Sequence, residues 1–262
     1  ALDGARAEAV QRALRLLHLI AGVSYYKAGV PEQVRIDSYS IDAATAALVE
    51  EIYLNGLGEF AYRNGLNLRG RFRLPVDGEA FSAPAVGLRE HALVAIGGGK
   101  DSLVSIEALR ALGVDQTVTW IGGSQLIKAC AERTGLPTLN LGRALAPQLF
   151  DYNREGAWNG HIPVTAVNSA ILVLAALLHG VDQVVFSNER SASYGSLIEG
   201  TGEVNHQWSK GWAFESAFGD YVEKHVAADL HYYSLLRPLS ELAVARQFTR
   251  TDRYDAHFSS CN

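Results

Sequence analysis

The sequence contains no methionine among its 262 residues, not even at position 1, although several would be expected in a chain of this length. We therefore expect either a piece of a longer protein or a sequence from which modified methionines are missing. Cysteine is almost as scarce, with Cys130 and Cys261 as its two occurrences. Two cysteines make no disulfide framework, which favours a reducing, cytoplasmic location. No signal-peptide pattern opens the sequence, in agreement with that expectation.

Long apolar runs and a basic surplus are missing too. The longest apolar run, "AILVLAALL" at residues 170–178, is too short to span a bilayer and is typical of a buried helix. The formal net charge of −5 argues against binding of a long nucleic acid, which usually requires a surplus of basic residues. We expect neither a membrane nor a nucleic acid as partner, and the sequence indicates no oligomeric state. Hydrophobic residues make up 48% of the chain, enough for a large globular core.

Residues 1–90 predict a mainly helical N-terminal domain. Apolar residues recur at helical spacing in residues 7–22 and again in residues 40–65, where Asp42 is a candidate N-cap. The segment "RGRFRLPV", residues 69–76, alternates instead and predicts a short strand. Its basic residues would share one face of that strand, which we interpret as solvated: Arg69, Arg71 and Arg73.

From residue 91 the pattern changes to alternating strands and helices. Apolar stretches at residues 91–96, 116–121, 137–142 and 182–188 predict strands, and residues 102–113, 124–135 and 165–180 predict helices. This alternation is typical of a parallel sheet with helices on both faces. We therefore predict an α/β catalytic domain, residues 91–262, built on a doubly wound parallel sheet.

The loop between the first predicted strand and the following helix reads "GGGKDS", Gly97 to Ser102. Glycines allow a close backbone approach, and the amide groups at a helix start attract an anion. Lys100 adds a positive charge and Ser102 a hydroxyl donor, so phosphate suits the loop best. Asp101 would repel a phosphate unless a cation intervened, which suggests either bound Mg²⁺ or a network with Lys100. The alternative is a glycine-rich turn in which Asp101 caps the helix.

Two common phosphate motifs, GxxxxGK[ST] and GxGxxG, do not fit this loop. "GGGKDS" resembles instead the SGGxDS signature of the PP-loop ATP pyrophosphatases: Gly98, Gly99, Asp101 and Ser102 match, and Gly97 replaces the usual first serine. The resemblance implies a PP-loop, adenine nucleotide alpha hydrolase-like fold, with ATP bound by residues 97–102 and Mg²⁺ held by Asp101. It also implies cleavage of ATP between its α- and β-phosphates, with adenylation of a substrate oxygen and release of diphosphate.

The resemblance continues downstream. Residues 161–196 resemble part of the 7-cyano-7-deazaguanine synthases, a PP-loop branch that activates a carboxylate. A narrower resemblance combines "GGGKDSLVSIEALR", "FSNERSASYGS" and "GEVNHQWSKGWAFE" and spans most of residues 91–262. These motifs resemble the ATP-dependent UDP-N-acetylmuramoyl-L-alanyl-L-glutamate epimerases of peptidoglycan precursor synthesis. That family resemblance implies a UDP-N-acetylmuramoyl dipeptide as substrate, inversion of its L-glutamate to D-glutamate, and AMP and diphosphate as by-products.

The chemistry of inversion explains why such an enzyme would use ATP. Inversion requires removal of the α-proton, which is held tightly because the carbanion would lie beside an ionised carboxylate. Adenylation turns that carboxylate into a mixed anhydride, whose carbonyl can delocalise the carbanion. A base on one face and an acid on the other can then invert the centre, and hydrolysis returns the carboxylate.

Residues 187–190, at the carboxyl end of the last predicted strand, are candidate site residues, because open α/β sheets bind ligands at the carboxyl ends of their strands. We assign Ser187 and Asn188 to the ATP site, and Glu189 and Arg190 to catalysis. The alternative for this stretch is a solvated polar loop.

The stretch "EVNHQWSKGW", residues 203–212, concentrates polar and aromatic side chains. His206 has a suitable intrinsic pKa for proton transfer, and Lys210 is a candidate to bind a carboxylate or phosphate. His161 is a weaker candidate for the role of His206. The alternative for each histidine is a structural role, and the arginines at 69, 71 and 73 have an alternative role in binding the UDP diphosphate.

The cysteines offer a different acid–base pair. Cofactor-independent glutamate racemases use two cysteines, but Cys130 shares a predicted helix face with apolar residues and is interpreted as a core residue. Cys261 resembles the first zinc ligand of the 7-cyano-7-deazaguanine synthases, and the other ligands of that site do not follow it. We therefore expect the catalytic domain to be truncated at its C-terminus.

Two other functions stay open at this point. Another PP-loop enzyme, similar to the 7-cyano-7-deazaguanine synthases or to tRNA-modifying enzymes, would carry the same loop, although the net charge speaks against a tRNA substrate. A nucleotide sensor without turnover would also retain the loop. The presence of Lys100, Asp101 and Ser102 favours catalysis.

Overall fold

The computed structural model describes residues 4–198 and 202–259. Its helices are α1 (Gly4–Ala21), α2 (Val23–Gly29), α3 (Ala43–Gly56), α4 (Gly58–Arg63), α5 (Lys100–Ala111), α6 (Gln125–Arg133), α7 (Pro147–Arg154), α8 (Val164–His179), α9 (Trp212–Tyr221) and α10 (Glu241–Phe248). Its strands are β1 (Arg89–Ala95), β2 (Gln116–Ile121), β3 (Thr138–Leu141), β4 (Val181–Phe186), β5 (Ser196–Ile198), β6 (Gly202–Val204) and β7 (His231–Ser234). Short 3₁₀ turns span Arg190–Ser193 and Trp208–Lys210, and a π turn, Val222–Val226, extends α9.

The main sheet has five strands in the order β3-β2-β1-β4-β7, and every neighbouring pair is parallel. The prediction of an α/β fold with a parallel sheet is therefore confirmed. The predicted strands and helices of residues 91–188 lie where the alternation of apolar stretches placed them. β5 and β6 form a separate antiparallel pair after β4, with Ser196 opposite Val204.

Both faces of the sheet are covered, as a doubly wound sheet requires. Side chains alternate along each strand, so Leu93 of β1 joins one hydrophobic core while Val94 joins the other. The first core lies against α1, α3, α8 and α9, and the second lies against α5, α6 and α10. The long apolar helix predicted at residues 165–180 is α8, and Leu172, Val173 and Ala176 of this helix are buried in the first core.

The N-terminal helices pack directly on the α/β part. α1 lies along α8, and side chains of α1 and α3 belong to the same hydrophobic core as α8 and α9. Asp42 is the N-cap of α3 as predicted, because its Oδ1 accepts a hydrogen bond from the Thr45 amide at 2.8 Å. The predicted helix of residues 40–65 is two helices, α3 and α4, separated at Leu57. The division into domains at residue 90 stays a prediction.

Residues 69–76 form no strand, so that prediction was wrong. The alternation does set exposure, since Phe72 and Leu74 are buried while the arginines between them are exposed. No described strand lies beside the segment to complete a ladder. Instead, Glu50 Oε1 accepts from the Leu74 amide at 2.9 Å, and Glu50 Oε2 pairs with Arg73 Nη1 at 2.6 Å. A strand needs a hydrogen-bonded neighbour as well as an alternating pattern.

None of the helices in the described part of the chain combines the length and the apolarity needed to cross a bilayer.

Candidate active site

The candidate site lies at the carboxyl edge of the sheet, between the loops that follow β1 and β4. These strands are neighbours, but the chain leaves β1 toward β2 on its other side. The two loops therefore diverge and open a crevice, which is where open α/β sheets bind ligands. The cleft at this point has a volume of about 500 Å³, within the range of small-molecule sites.

The glycine-rich loop forms one wall of the cleft. Gly98 has φ +82°, and an added Cβ would lie 3.2 Å from Leu126 Cδ2, so this position requires glycine. Gly99 occupies the N-cap position of α5, so Asp101 is not the cap but lies in the first turn of the helix. Because glycine has no side chain, the helix starts without a side-chain cap, and its first residues, Lys100 and Asp101, line the cleft.

Lys100 lies between two carboxylates. Its Nζ is 2.9 Å from Asp101 Oδ1 and 3.5 Å from Glu241 Oε1. Burial alone lowers the pKa of Lys100, but the hydrogen bond and charge of Asp101, together with Glu241, raise the pKa overall. The lysine is therefore charged at neutral pH and held at the mouth of the loop. The Ser102 hydroxyl, by contrast, donates to the Gly99 carbonyl at 3.0 Å and stabilises the turn.

The loop after β4 forms the opposite wall and is tied to its neighbours by side chains. The Ser187 hydroxyl donates to Ser105 of α5 at 2.7 Å, and Asn188 Nδ2 donates to Ser234 at the end of β7 at 3.1 Å. Glu189 is buried, and its carboxylate caps the following 3₁₀ turn by accepting from the Ser191 amide at 2.6 Å. These contacts give residues 187–189 a role in fixing the cleft.

The third wall is the segment after β6. His206 and Lys210 both line the cleft there. The ring of His161 lies 6.1 Å from the ring of His206, centroid to centroid. Burial lowers the pKa of His161; the nearby His206 and Lys210 lower it further, against the opposing charge of Glu59. His161 is therefore neutral at pH 7, and its ring packs edge to face against the ring of His206.

The structure thus brings together half of the predicted site residues. Those that line the cleft are Gly99, Lys100, Asp101, Glu189, His206 and Lys210. The others lie beside it: Gly97, Gly98, Ser102, Ser187 and Asn188 build the two loops, and the exposed Arg190 is outside the lining.

Sequence reasoning missed Arg237, which lies behind the cleft. Its guanidinium donates to the backbone carbonyls of Glu189, at 2.8 Å, and Lys210, at 2.7 Å. Both of those residues line the cleft, so Arg237 connects two of its walls. Sequence reasoning also missed Glu241 at the start of α10. A helix-start signal was available there, because Ser240 is the N-cap of that helix and accepts from the Ala243 amide at 3.3 Å.

A second cavity, of about 560 Å³, adjoins the cleft. It lies between α3, α4 and the loop at residues 65–69 on one side, and the segment after β6 on the other. Asn205 lines both the cavity and the cleft, so the two spaces meet at this residue.

The cysteines do not form an acid–base pair in the described part of the chain. Cys130 is fully buried in the second hydrophobic core, as predicted, and burial raises the pKa of its thiol. A raised pKa disfavours the thiolate that a catalytic base would need. Cys261 lies outside the described residues.

The fold and cleft together define an α/β protein with a cleft at the switch point of a parallel sheet, lined in part by a glycine-rich loop and the start of α5. The sequence profile of the MurL N-terminal domain matches residues 1–235. The chain therefore belongs to the MurL family, which confirms the family resemblance drawn from its three motifs.

Individual relatives agree with this assignment. The chain is 81% identical to the UDP-N-acetyl-alpha-D-muramoyl-L-alanyl-L-glutamate epimerase of Xanthomonas oryzae pv. oryzae, over 100% of this chain and 58% of that protein. It is 45% identical to the enzyme of the same name from Salinispora tropica, over 98% of this chain and 56% of that protein. The chain spans little more than half the length of these curated relatives.

Proposed function

We propose that this chain is the ATP-binding part of an ATP-dependent epimerase that converts the terminal L-glutamate of UDP-N-acetylmuramoyl-L-alanyl-L-glutamate to D-glutamate. The reaction would serve peptidoglycan precursor synthesis in the cytoplasm. The observation that carries the proposal is the glycine-rich loop that lines a cleft at the sheet's switch point, in a chain whose relatives are named for this epimerisation. The strand order and the glycine-rich loop after β1 support a PP-loop type of fold for residues 91–262.

The cleft suits the phosphates of ATP. Gly98 has a positive φ that side chains rarely adopt, an added Cβ would lie 3.2 Å from Leu126 Cδ2, and α5 begins directly after the glycines. Backbone amides at the start of a twelve-residue helix, together with the Lys100 ammonium, supply the donors that a polyphosphate requires. Ser187 and Asn188 would hold the opposite wall at the spacing that the nucleotide needs.

Mg²⁺ fits the same place. In nucleotide sites this ion is usually held by one or two carboxylates, the phosphates and water. Asp101 lines the cleft at the start of α5 and is therefore suited to be the protein ligand. No group of three or more metal-binding side chains occurs in residues 4–198 and 202–259, so the phosphates would complete the coordination. The bound ion would neutralise charge on the phosphates and remove the repulsion between them and Asp101.

The remaining residues would act on the dipeptide. A substrate carboxylate oxygen attacks the α-phosphorus of ATP, the bond to the bridging oxygen breaks, and diphosphate leaves. The α-proton of the activated glutamate is then removed and replaced on the opposite face, and water releases AMP. His206 would move a proton and Lys210 would hold a carboxylate or phosphate, since both line the cleft, while Glu189 and Arg190 would position the loop after β4.

The test uses the full-length protein with Mg²⁺, ATP and UDP-N-acetylmuramoyl-L-alanyl-L-glutamate. We expect AMP and diphosphate in amounts that depend on the dipeptide, together with D-glutamate after hydrolysis of the product. Lys100→Ala should weaken ATP binding at least about tenfold, because it removes a charge-assisted contact to phosphate. Lys128→Ala, an exposed lysine of α6, is the matched control and should have no effect.

The outcomes separate the possible functions. AMP release without inversion of the glutamate would indicate an adenylating ligase and not an epimerase. The absence of dipeptide-dependent ATP cleavage in the wild-type protein would refute the assigned substrate and favour another PP-loop enzyme or a nucleotide sensor.

A further inference from the structure

The second cavity has the size of a ligand site and a distinct composition. It is formed by α3, α4, the loop at residues 65–69 and the segment after β6, and its volume of about 560 Å³ matches that of the cleft. The loop is held in place by its own backbone, since the Leu66 amide donates to Ala61 at 2.9 Å and Asn67 Oδ1 accepts from the Arg69 amide at 3.0 Å. Leu68 is buried and anchors the loop to the core.

Aliphatic side chains form part of the cavity's lining, and its polar and aromatic members are three asparagines, a serine, a tyrosine, a tryptophan and one arginine. Asn55, Asn67 and Asn205 contribute carboxamides, and Tyr62 presents a ring that is 49% exposed. Carboxamides pair with sugar hydroxyls and base edges, and a half-exposed ring offers a face for stacking.

Arg69 gives the cavity its charge. It is the only charged side chain among the described residues that line it, and no carboxylate belongs to that lining. Arg73, in the same alternating segment, forms an ion pair with Glu50, whereas Arg69 forms no ion pair within the described part of the chain. A guanidinium with no competing carboxylate is suited to bind a phosphate or diphosphate in a bidentate manner.

The segment 204–208 is the common wall of the two spaces. Val204 and Trp208 line the cavity, His206 lines the cleft, and Asn205 lines both. A ligand that fills the cavity would have to pass Asn205 to reach His206 and Lys210 in the cleft. This arrangement places the far end of a long substrate close to the proposed ATP phosphates.

We propose that the second cavity binds the nucleoside diphosphate and sugar of the substrate, with Arg69 contacting the diphosphate. The dipeptide would then pass Asn205 and present its terminal carboxylate to the cleft. This inference rests on the proposed function for the identity of the substrate. According to this inference, the N-terminal helices and Arg69 recognise the part of the substrate that does not react. The sequence alone had suggested that Arg69 belongs to a solvated face.

The test measures binding of UDP to the full-length protein by titration calorimetry in the absence of ATP. Arg69→Ala should weaken UDP binding about tenfold to a hundredfold, the usual range for hydrogen bonds to a charged group. Arg71→Ala is the matched control, because Arg71 is exposed on the same loop but does not line the cavity. Gly58→Phe provides a second variant: Gly58 lines the cavity, and an added Cβ would meet nothing within 4 Å, so the ring can occupy the space without disturbing the core.

The affinity for a non-hydrolysable ATP analogue, measured in parallel, should be unchanged in all three variants. Undiminished UDP binding in Arg69→Ala and Gly58→Phe, or displacement of UDP by the ATP analogue, would overturn the proposal. No UDP binding to the wild-type protein would also overturn it. The epimerase assay tests the proposed function separately. If the protein epimerises its substrate but UDP binding does not depend on Arg69, only the assignment of the cavity is refuted. If UDP binding depends on Arg69 but no epimerisation occurs, only the proposed function is refuted.

Discussion

Arg237 and Glu215 form a buried ion pair beneath the cleft, with Nη2 of the arginine 2.6 Å from Oε2 of the glutamate. The exposed fractions of the two side chains are 12% and 5%. The same guanidinium donates to the carbonyls of Glu189 and Lys210, which belong to two different walls of the cleft. Glu215, at the start of α9, therefore orients the arginine that holds these walls together.

Glu215→Gln should destabilise the fold strongly. The substitution keeps the shape of the side chain but leaves the charge of Arg237 buried without its partner, which typically costs about 3–5 kcal/mol. The free energy of unfolding from urea denaturation measures the effect. Asp220→Asn is the control, since its ion pair with Lys224 is about two-thirds exposed and should contribute less than about 1 kcal/mol. Equal losses in the two variants would show that burial of the pair has no special importance.

The glycine-rich loop should tolerate a side chain at one position and not at the next. Gly98→Ala should cost about 1–2 kcal/mol because the residue has φ +82° and its Cβ would press on Leu126. The strained loop should also bind an ATP analogue more weakly. Gly97→Ser should preserve both stability and affinity, because a Cβ at this position meets nothing within 4 Å. Thermal unfolding and analogue titration check both variants, and a loss in Gly97→Ser as large as in Gly98→Ala would contradict the structure.

The sheet could be predicted from the sequence because its strands are buried on both faces. Such strands are continuous apolar stretches, and those of β1, β2 and β4 stand out from the helices between them. β7 was missed because its four residues, His231–Ser234, are polar and aromatic, and its place at the edge of the sheet is set by pairing with β4. The pattern at residues 69–76 correctly predicted that Phe72 and Leu74 are buried, but Val76, which continues the alternation, is exposed. No strand forms there, because no described strand lies beside the segment.

The candidate site was predicted in its local parts and not in its assembly. The loop "GGGKDS" is continuous in sequence, so its chemistry could be inferred directly. Arg237 and Glu241 act through contacts with residues far away in the chain, such as Glu189 and Lys100. Arg69 likewise reaches the site only because the N-terminal helices pack beside the segment after β6. Single-sequence patterns carry no information on such distant contacts.

His161 should make the protein less stable in mild acid. Burial lowers the pKa of His161 in the folded state below its ordinary value of roughly 6.5, so the unfolded chain binds the proton more readily. The contribution of neutral His161 is therefore fully present above about pH 6.5 and decreases as the pH falls toward the lowered pKa. Urea unfolding at about pH 7.5 and about pH 5.5 should show a smaller loss for His161→Gln than for the wild type.

A part of the acid sensitivity should persist in His161→Gln, because burial also lowers the pKa of His91. An identical loss in the variant and the wild type would mean that His161 is not held neutral by the fold.

Asp229 should hold the connector that precedes β1. Its Oδ1 accepts from the Val86 amide at 2.8 Å and its Oδ2 from the Leu88 amide at 2.9 Å. Burial alone raises the pKa of Asp229, but these backbone hydrogen bonds outweigh it and lower the pKa. The stabilisation is therefore present above the unfolded pKa of about 3.9 and is lost as the pH falls through the lower folded value.

Asp229→Ala should cost about 1.5–3 kcal/mol at neutral pH, the range for hydrogen bonds to a charged group. It should also expose residues 77–88 to limited proteolysis. Glu79→Ala, an exposed position in the same connector, is the control. Protection of the connector in Asp229→Ala equal to that in the control would contradict the role of these two hydrogen bonds.

Asn205→Asp should weaken the binding of both anionic ligands. Asn205 Oδ1 accepts from the Gln207 amide at 2.8 Å, and an aspartate can keep that hydrogen bond. The new negative charge would lie where the cleft and the cavity meet, so it should repel ATP on one side and UDP on the other. At separations of about 4–6 Å a like charge costs enough to lower each affinity several-fold, and added salt should reduce the loss.

Asn153→Asp adds the same charge at an exposed position of α7 and should leave both affinities unchanged. A loss confined to one ligand would place Asn205 in a single site and would argue against a substrate that extends from the cavity into the cleft.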